Sequence, residues 1–192
     1  VIVDAAHNPD GVRATVRAVQ ESFGFTRLVL VVGVLQEKDA PAMLEALHRA
    51  FGDDVADLAL TQSTSPRAIP AAELARIALD AGWPEDDLFA TESVPDALEW
   101  AVGRAEALES SADELASGTG GGVLVLGSIT LAAEVRAHDG VADGVVLGAS
   151  IGGIPETWDE ADDGPHAPPV RGRLHRHRGR IEWLPPWASP PS

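Results

Sequence analysis

The sequence contains no cysteine among its 192 residues. This absence excludes disulfides, thiolate catalysis and zinc sites with cysteine ligands. Long apolar runs are missing too, since none approaches the roughly 20 residues that a membrane-spanning helix needs. Basic side chains are scarce: 14 Lys and Arg stand against 30 Asp and Glu, a formal net charge of −16. Because an acidic surface repels phosphate backbones, we expect neither a nucleic-acid nor a membrane partner.

The composition changes near residue 140. Up to that point, short β-branched runs alternate with longer stretches rich in Ala and Leu. Residues 141–192 hold 7 Gly and 8 Pro, a density typical of low-complexity segments. We therefore expect a folded domain over residues 1–140 and a disordered tail over residues 141–192. The opening residues Val1–Asp4 resemble a strand interior, and we expect the chain to be the later part of a longer protein.

Apolar periodicity predicts five strands, each followed by a helix. The predicted strands are residues 1–3, 27–33, 55–61, 88–91 and 122–127, and the predicted helices are residues 10–23, 41–51, 70–81, 93–108 and 128–138. Such alternation predicts a Rossmann-like α/β fold, with a mostly parallel sheet covered by helices on both faces. Ligands of such sheets bind beyond the carboxyl ends of the strands, so the loops that follow the strands are the candidate site.

The loop after the first strand carries the most chemistry. Asp4 ends the strand, two alanines follow, and His7-Asn8-Pro9-Asp10-Gly11 leads into a helix. Free N–H groups at that helix start attract a carboxylate or phosphate. Asp4 is suited to accept hydrogen bonds from ribose hydroxyls or an amine, and His7 to donate to a carboxylate. The structural alternative, in which these side chains only cap turns, is equally compatible with the spacing.

Three other loops contribute candidates. Ser128, after the last strand, is a natural helix cap, and its predicted place on the same edge as His7 also makes it a candidate ligand contact. Lys38, the only lysine, and Arg67 each follow a strand; either is suited to bind an anion or to remain a solvated loop charge.

Several signatures are absent. The sequence has no P-loop, no G-x-G-x-x-G after a strand and no H-E-x-x-H, and residues 118–122 (GTGGG) lack the lysine of a P-loop. No metal site is predicted. The basic run of residues 171–180, in which His175 and His177 stand two apart, has poor metal-ligand spacing and is typical of a charged tail.

The chain resembles the C-terminal domain of the folylpolyglutamate synthase/dihydrofolate synthase family, in the Mur ligase superfamily. The segments that carry the resemblance are residues 1–11 (VIVDAAHNPDG), 31–39 (VVGVLQEKD), 65–68 (SPRA) before Glu73-Leu74, 94–98 (VPDAL), and 126–129 (LGSI) before Glu134-Val135-Arg136. Their order and spacing match over about residues 1–137, and the tail has no counterpart.

The resemblance implies an ATP-dependent ligase that joins L-glutamate to a dihydropteroate or folate carboxylate through an acyl phosphate. It implies that Asp4 contacts ATP near its ribose, and that His7 and Ser128 hold the incoming glutamate as catalytic and substrate-binding residues. The family's P-loop, magnesium ligands and folate site lie in a larger N-terminal ATPase domain, so we expect ATP and Mg²⁺ to be bound with that domain, in the cytoplasm. The resemblance assigns no firm role to Lys38 or Arg67.

Two alternatives remain open. One is a free-standing Rossmann-like module that binds an anion or a protein without catalysis. The other is a cell-wall precursor ligase of the same superfamily, although the His-Asn-Pro and Lys-Asp elements favour the folate branch. Neither the preferred acceptor nor the polyglutamate length follows from the sequence.

Overall fold

The computed structural model describes residues 1–23, 25, 27–51, 55–111, 121–137, 147–148, 173–177 and 180–184. Its helices are α1 (Pro9–Ser22), α2 (Ala40–Phe51), α3 (Ala71–Asp80), α4 (Val94–Ser111) and α5 (Ile129–Ala137). Its strands are β1 (Ile2–Val3), β2 (Arg27–Val32), β3 (Val55–Thr61), β4 (Leu88–Thr91), β5 (Gly121–Leu126), β6 (Leu147–Gly148), β7 (Arg173–His177) and β8 (Arg180–Leu184). A short 3₁₀ turn, Glu85–Asp87, precedes β4.

The main sheet has six parallel strands in the order β4-β3-β2-β5-β1-β6. The predicted α/β class is therefore confirmed. β5 lies between β1 and β2, so the last long strand of the domain pairs with both strands that open the chain. β6 follows residue 140 by a few residues and pairs with β1, while β7 and β8 form a separate antiparallel pair.

Two apolar layers cover the sheet. One layer, on the side of α1, α2 and α3, contains Leu30, Leu47 and Leu74, all fully buried. The other, on the side of α4 and α5, contains Val31, Ala101 and Leu131. Because successive strand residues point to opposite faces, β2 alternates between the two layers along its length. Burial on both faces explains why its sequence is continuously apolar.

Polar side chains cap several of the helix starts. Asn8 caps α1 and accepts the Gly11 amide at 2.7 Å, and Asp39 accepts the Ala42 amide at the start of α2. Ser93 accepts the Asp96 amide at the start of α4. Each cap satisfies an amide that has no partner within its own helix, and so fixes the point where the chain turns from loop to helix.

One predicted helix end differs from the structure, and other predictions fall on residues that the structure does not describe. α4 runs to Ser111, three residues beyond its predicted end. Glycines follow the predicted ends of the first two helices, at positions 24 and 52, which predicts C-terminal caps there; both positions lie outside the described part of the chain. Within the described ranges, no helix is long and apolar enough to cross a membrane.

Candidate functional site

The carboxyl ends of β1, β2, β3 and β5 lie side by side at one edge of the sheet, which we call the rim. It comprises the loops of residues 4–8, 33–39, 62–70 and 127–128. The first and last of these loops are bonded directly, since the Gly127 amide donates to the Ala6 carbonyl at 2.9 Å. His7 and Ser128, 121 positions apart in sequence, therefore stand on adjoining loops of one edge.

Asp4 is buried at the start of the first loop, only 4% exposed. Its backbone amide continues the sheet by donating to the Val125 carbonyl. One carboxylate oxygen, Oδ1, accepts the Ala6 amide at 2.6 Å. The other, Oδ2, is buried and has no hydrogen-bond partner among the described residues. An unsatisfied buried carboxylate oxygen is costly, which makes it a strong acceptor for a ligand that brings a hydroxyl or N–H group.

The His7 ring is oriented by its own loop. Its Nδ1 lies 3.0 Å from the Ala5 carbonyl oxygen. Since a carbonyl only accepts, Nδ1 carries the hydrogen in this contact, and Nε2 is left as the second ring nitrogen. A half-buried imidazole fixed in this way offers Nε2 as an acceptor when neutral and as a donor when protonated.

Ser128 is a buried helix cap. Its side chain is 1% exposed, and its Oγ accepts the Leu131 amide at 3.0 Å. The capping alternative is thus what the structure shows, and the hydroxyl hydrogen remains available to a second partner. The contact with glutamate that the resemblance implies for Ser128 stays a prediction.

Glycine allows the loop ends to approach closely. Gly127 has φ +119°, and a Cβ there would lie 2.6 Å from the Gly33 carbonyl oxygen. A Cβ on Gly33 would in turn lie 2.9 Å from the Thr61 carbonyl oxygen and 3.1 Å from Leu131. The ends of β2, β3 and β5 are therefore packed backbone against backbone where the rim begins.

Lys38 and Arg67 are brought to neighbouring loops. The Arg67 guanidinium donates to Glu37 at 2.7 Å, and the Gln36 amide donates to the Arg67 carbonyl at 2.8 Å. Lys38 closes a turn with Leu35 and is half-buried. The structure thus groups two basic residues on the second and third loops, with Arg67 in an exposed ion pair.

Sequence reasoning missed several polar groups after β3. The Thr61 and Ser63 hydroxyls are buried and have no partner among the described residues. Gln62 accepts the Ala71 amide and so caps α3 from a distance. Thr64 is bonded to Glu134 on α5, 70 positions away. The polar run Thr61–Ser65 was the available signal, but sequence alone does not show which of its side chains is buried.

The described residues contain no group of three or more His, Asp or Glu that could hold a metal ion.

The family model for the Mur ligase glutamate ligase domain matches residues 1–129 of the chain. The chain belongs to this family. Every loop of the rim lies within the matched residues. The match ends at Ile129, the first residue of the helix that Ser128 caps. The resemblance to a glutamate ligase domain is thereby confirmed.

This glutamate ligase domain is similar to parts of longer proteins that act on folates by their names. It is 32% identical over 139 residues to the dihydrofolate synthase/folylpolyglutamate synthase of Mycobacterium tuberculosis, covering 71% of this chain and 27% of that protein. It is 31% identical over 99 residues to the folylpolyglutamate synthase of Lacticaseibacillus casei, covering 50% of this chain and 22% of that protein.

A solved structure is also similar to this domain. The Mycobacterium tuberculosis folylpolyglutamate synthase complexed with ADP superimposes with a TM-score of 0.61 at 30% identity, over 70% of this chain and 29% of that chain. The glutamate ligase domain thus spans about a quarter of the length of the relatives that it matches.

Proposed function

We propose that this chain is the glutamate-capturing domain of an ATP-dependent ligase that joins L-glutamate to a dihydropteroate or folate carboxylate. The observation that carries the proposal is the family match over residues 1–129 together with the rim, where the Asp4–His7 loop is bonded to the Gly127–Ser128 loop. The P-loop that such chemistry needs does not occur in the sequence. We therefore propose that a separate N-terminal ATPase domain supplies it.

Asp4 supplies the nucleotide contact in this proposal. Its Oδ2 is buried and has no partner among the described residues, while Oδ1 is held by the Ala6 amide. A ribose presents two neighbouring hydroxyls, each of which can donate to a carboxylate. Donation to Oδ2 would satisfy the one Asp4 oxygen that the fold leaves unpaired, which supports ATP contact at this residue.

His7 and Ser128 hold the incoming amino acid. Nε2 of His7 is the ring nitrogen not used by the Ala5 carbonyl, so it is available to the amine or to a carboxylate of glutamate. The Ser128 hydroxyl already accepts from α5 and keeps its hydrogen for a second partner. In this arrangement both residues position glutamate, and positioning is the main demand of a ligation that passes through an acyl phosphate.

The reaction proceeds in two steps. The acceptor carboxylate is first phosphorylated by ATP, which releases ADP. The neutral glutamate amine then attacks the acyl carbon. As the C–N bond forms, the C–O bond to phosphate breaks, phosphate leaves, and the nitrogen loses one proton to water to give the amide. When bound, Mg²⁺ would neutralise charge on the nucleotide phosphates. Because the described residues offer no metal site, we assign the magnesium ligands to the ATPase domain.

The test replaces His7 by alanine in the longer protein that would carry both this domain and the proposed ATPase domain. We expect the KM for L-glutamate to rise by about tenfold or more, because a positioned contact is lost, while ATP affinity stays within about twofold. Steady-state assays of ADP release against each substrate separate the two effects. His48→Ala is the matched control, since His48 lies in the last turn of α2 and packs against Trp83, at the opposite end of that helix from the rim.

Two results would contradict the assignment. If His7→Ala weakened nucleotide binding alone, His7 would belong to the ATP contact. If His48→Ala raised the glutamate KM as much as His7→Ala, the effect would not depend on a contact at the rim, and the role assigned to His7 would be wrong.

A further inference from the structure

The rim consists of two halves. The loops after β1 and β5 form one half, joined by the bond from the Gly127 amide to the Ala6 carbonyl. The loops after β2 and β3 form the other half, joined by the Gln36–Arg67 bond and by the Ile69 amide, which donates to the Val34 carbonyl at 2.9 Å. The first half carries His7 and Ser128, and the second half carries Lys38 and Arg67.

Among the described residues, the Glu134 side chain connects the helix that follows the first half to a loop of the second half. Oε1 of Glu134 accepts both the backbone amide of Thr64 at 2.8 Å and the Thr64 hydroxyl at 2.7 Å. Glu134 belongs to α5, the helix that Ser128 caps, and Thr64 belongs to the loop after β3, which also carries Arg67. We call this pair the clasp.

The loop after β3 depends on the clasp for its side-chain anchorage to α5. The neighbouring hydroxyls of Thr61 and Ser63 are buried but have no partner among the described residues. The side-chain oxygen of Gln62 accepts the Ala71 amide at the start of α3, so it makes no bond to α5 in that contact. Hydrogen bonds to a carboxylate are stronger than those between neutral groups, so two of them on one residue hold Thr64 against α5 although Thr64 is exposed.

We propose that Glu134 is a positioning residue, which holds the Arg67 loop at the spacing from His7 and Ser128 that L-glutamate needs in order to bind between the two halves. The inference rests on the proposed function. Glutamate carries two carboxylates and an amine, so it has groups for the basic residues of one half and for His7 and Ser128 of the other. A displacement of about 1 Å between two halves of a site can cost up to about 10²-fold in rate or affinity.

The first experiment measures the clasp itself. Amide hydrogen exchange is compared among four forms of the protein that would carry both domains: wild type, Glu134→Ala, Glu134→Gln and Glu99→Ala. Glu99 is an exposed glutamate on α4 and serves as the matched control. We expect the Thr64 amide to exchange about tenfold faster in Glu134→Ala and to be partly protected in Glu134→Gln, whose amide oxygen still accepts. Glu99→Ala is expected to match wild type.

The second experiment measures ligation. We expect Glu134→Ala to raise the KM for L-glutamate about tenfold while kcat and the KM for ATP change less than about twofold. Glu134→Gln is expected to recover most of the glutamate affinity, which a loss of folding stability would not explain.

The outcomes separate the two claims. Faster Thr64 exchange with an unchanged glutamate KM would overturn the positioning role, as would unchanged Thr64 exchange in Glu134→Ala. A wild-type protein without glutamate-dependent turnover would overturn the proposed function and the role that rests on it, while the exchange data would still show whether the clasp forms.

Discussion

The carboxylate of Asp57 is buried in β3, 2% exposed, and is paired with the guanidinium of Arg104 on α4. Arg104 donates from Nε to Oδ2 at 2.8 Å and from Nη2 to Oδ1 at 2.9 Å. These hydrogen bonds, together with the negative charge of Asp57, raise the pKa of Arg104 above its ordinary value. The guanidinium also lies over the Trp100 ring, at 5.9 Å from its centroid. The pair thus connects strand and helix far from the rim.

Replacing Arg104 by alanine should leave the Asp57 carboxylate buried without its partner. Losing hydrogen bonds to a charged group costs about 1.5–3 kcal/mol, and the half-exposed position of Arg104 lets water replace part of them. We expect the free energy of unfolding to fall by about 2 kcal/mol, measured by urea denaturation.

The matched control for this prediction is Arg49→Ala. Arg49 pairs with Glu45 four residues earlier on α2, and both side chains are more than half exposed. An exposed helical pair contributes only about 0.3–0.5 kcal/mol, so the same substitution should have a small effect. Equal losses in the two variants would show that burial of Asp57 does not determine the strength of its ion pair.

At the scale of elements, two glycines show how position decides the effect of one substitution. Gly127 ends β5 with φ +119°, and a Cβ there would lie 2.6 Å from the Gly33 carbonyl oxygen. Gly103 lies in the middle of α4 on its exposed face, and a Cβ there would meet nothing within 4 Å. Alanine should therefore destabilise the turn and stabilise the helix.

We expect Gly103→Ala to raise the free energy of unfolding by about 0.5–1 kcal/mol, because alanine loses less conformational entropy than glycine in a helix. Gly127→Ala should lower it by about 3 kcal/mol or more, since the strand ends must separate and the backbone is strained. Thermal and urea unfolding measure both changes. A stabilising Gly127→Ala would mean that the close approach of β2 and β5 is not required.

The elements themselves were largely predictable. The strands β3 and β4 begin and end at the predicted residues, and the five helices lie within a few residues of their predicted bounds. Apolar periodicity reports which face of an element is buried, and caps such as Ser93 report where a helix starts. Periodicity carries no information on lateral neighbours, so the position of β5 between β1 and β2 came only from the structure.

The candidate site was predictable to the same extent. Parallel strands bring their carboxyl ends to one edge, which sufficed to group Asp4, His7 and Ser128. The clasp between Thr64 and Glu134 was not predictable in this way, because a hydrogen bond across 70 positions depends on how α5 lies beside the loop after β3.

At the scale of the whole molecule, the proposed function divides the chemistry between this chain and a separate ATPase domain. We propose the rim as the contact for ribose and for an amino acid, while the sequence contains no P-loop and the described residues contain no metal site. A formal net charge of −16 also disfavours unaided capture of a triphosphate by the bulk of the surface.

The 192 residues on their own should consequently show no ATP-dependent ligation of L-glutamate to dihydropteroate or folate. Without a phosphate cradle and magnesium, the charge that develops on the transferred phosphoryl group is not stabilised. ADP release is measured with and without L-glutamate, and the dihydrofolate synthase/folylpolyglutamate synthase of Mycobacterium tuberculosis, a relative that matches this chain over 27% of its own length, serves as the positive control. Glutamate-dependent turnover by the isolated chain would mean that the ATP chemistry resides in these residues, and the division of labour proposed for the rim would be wrong.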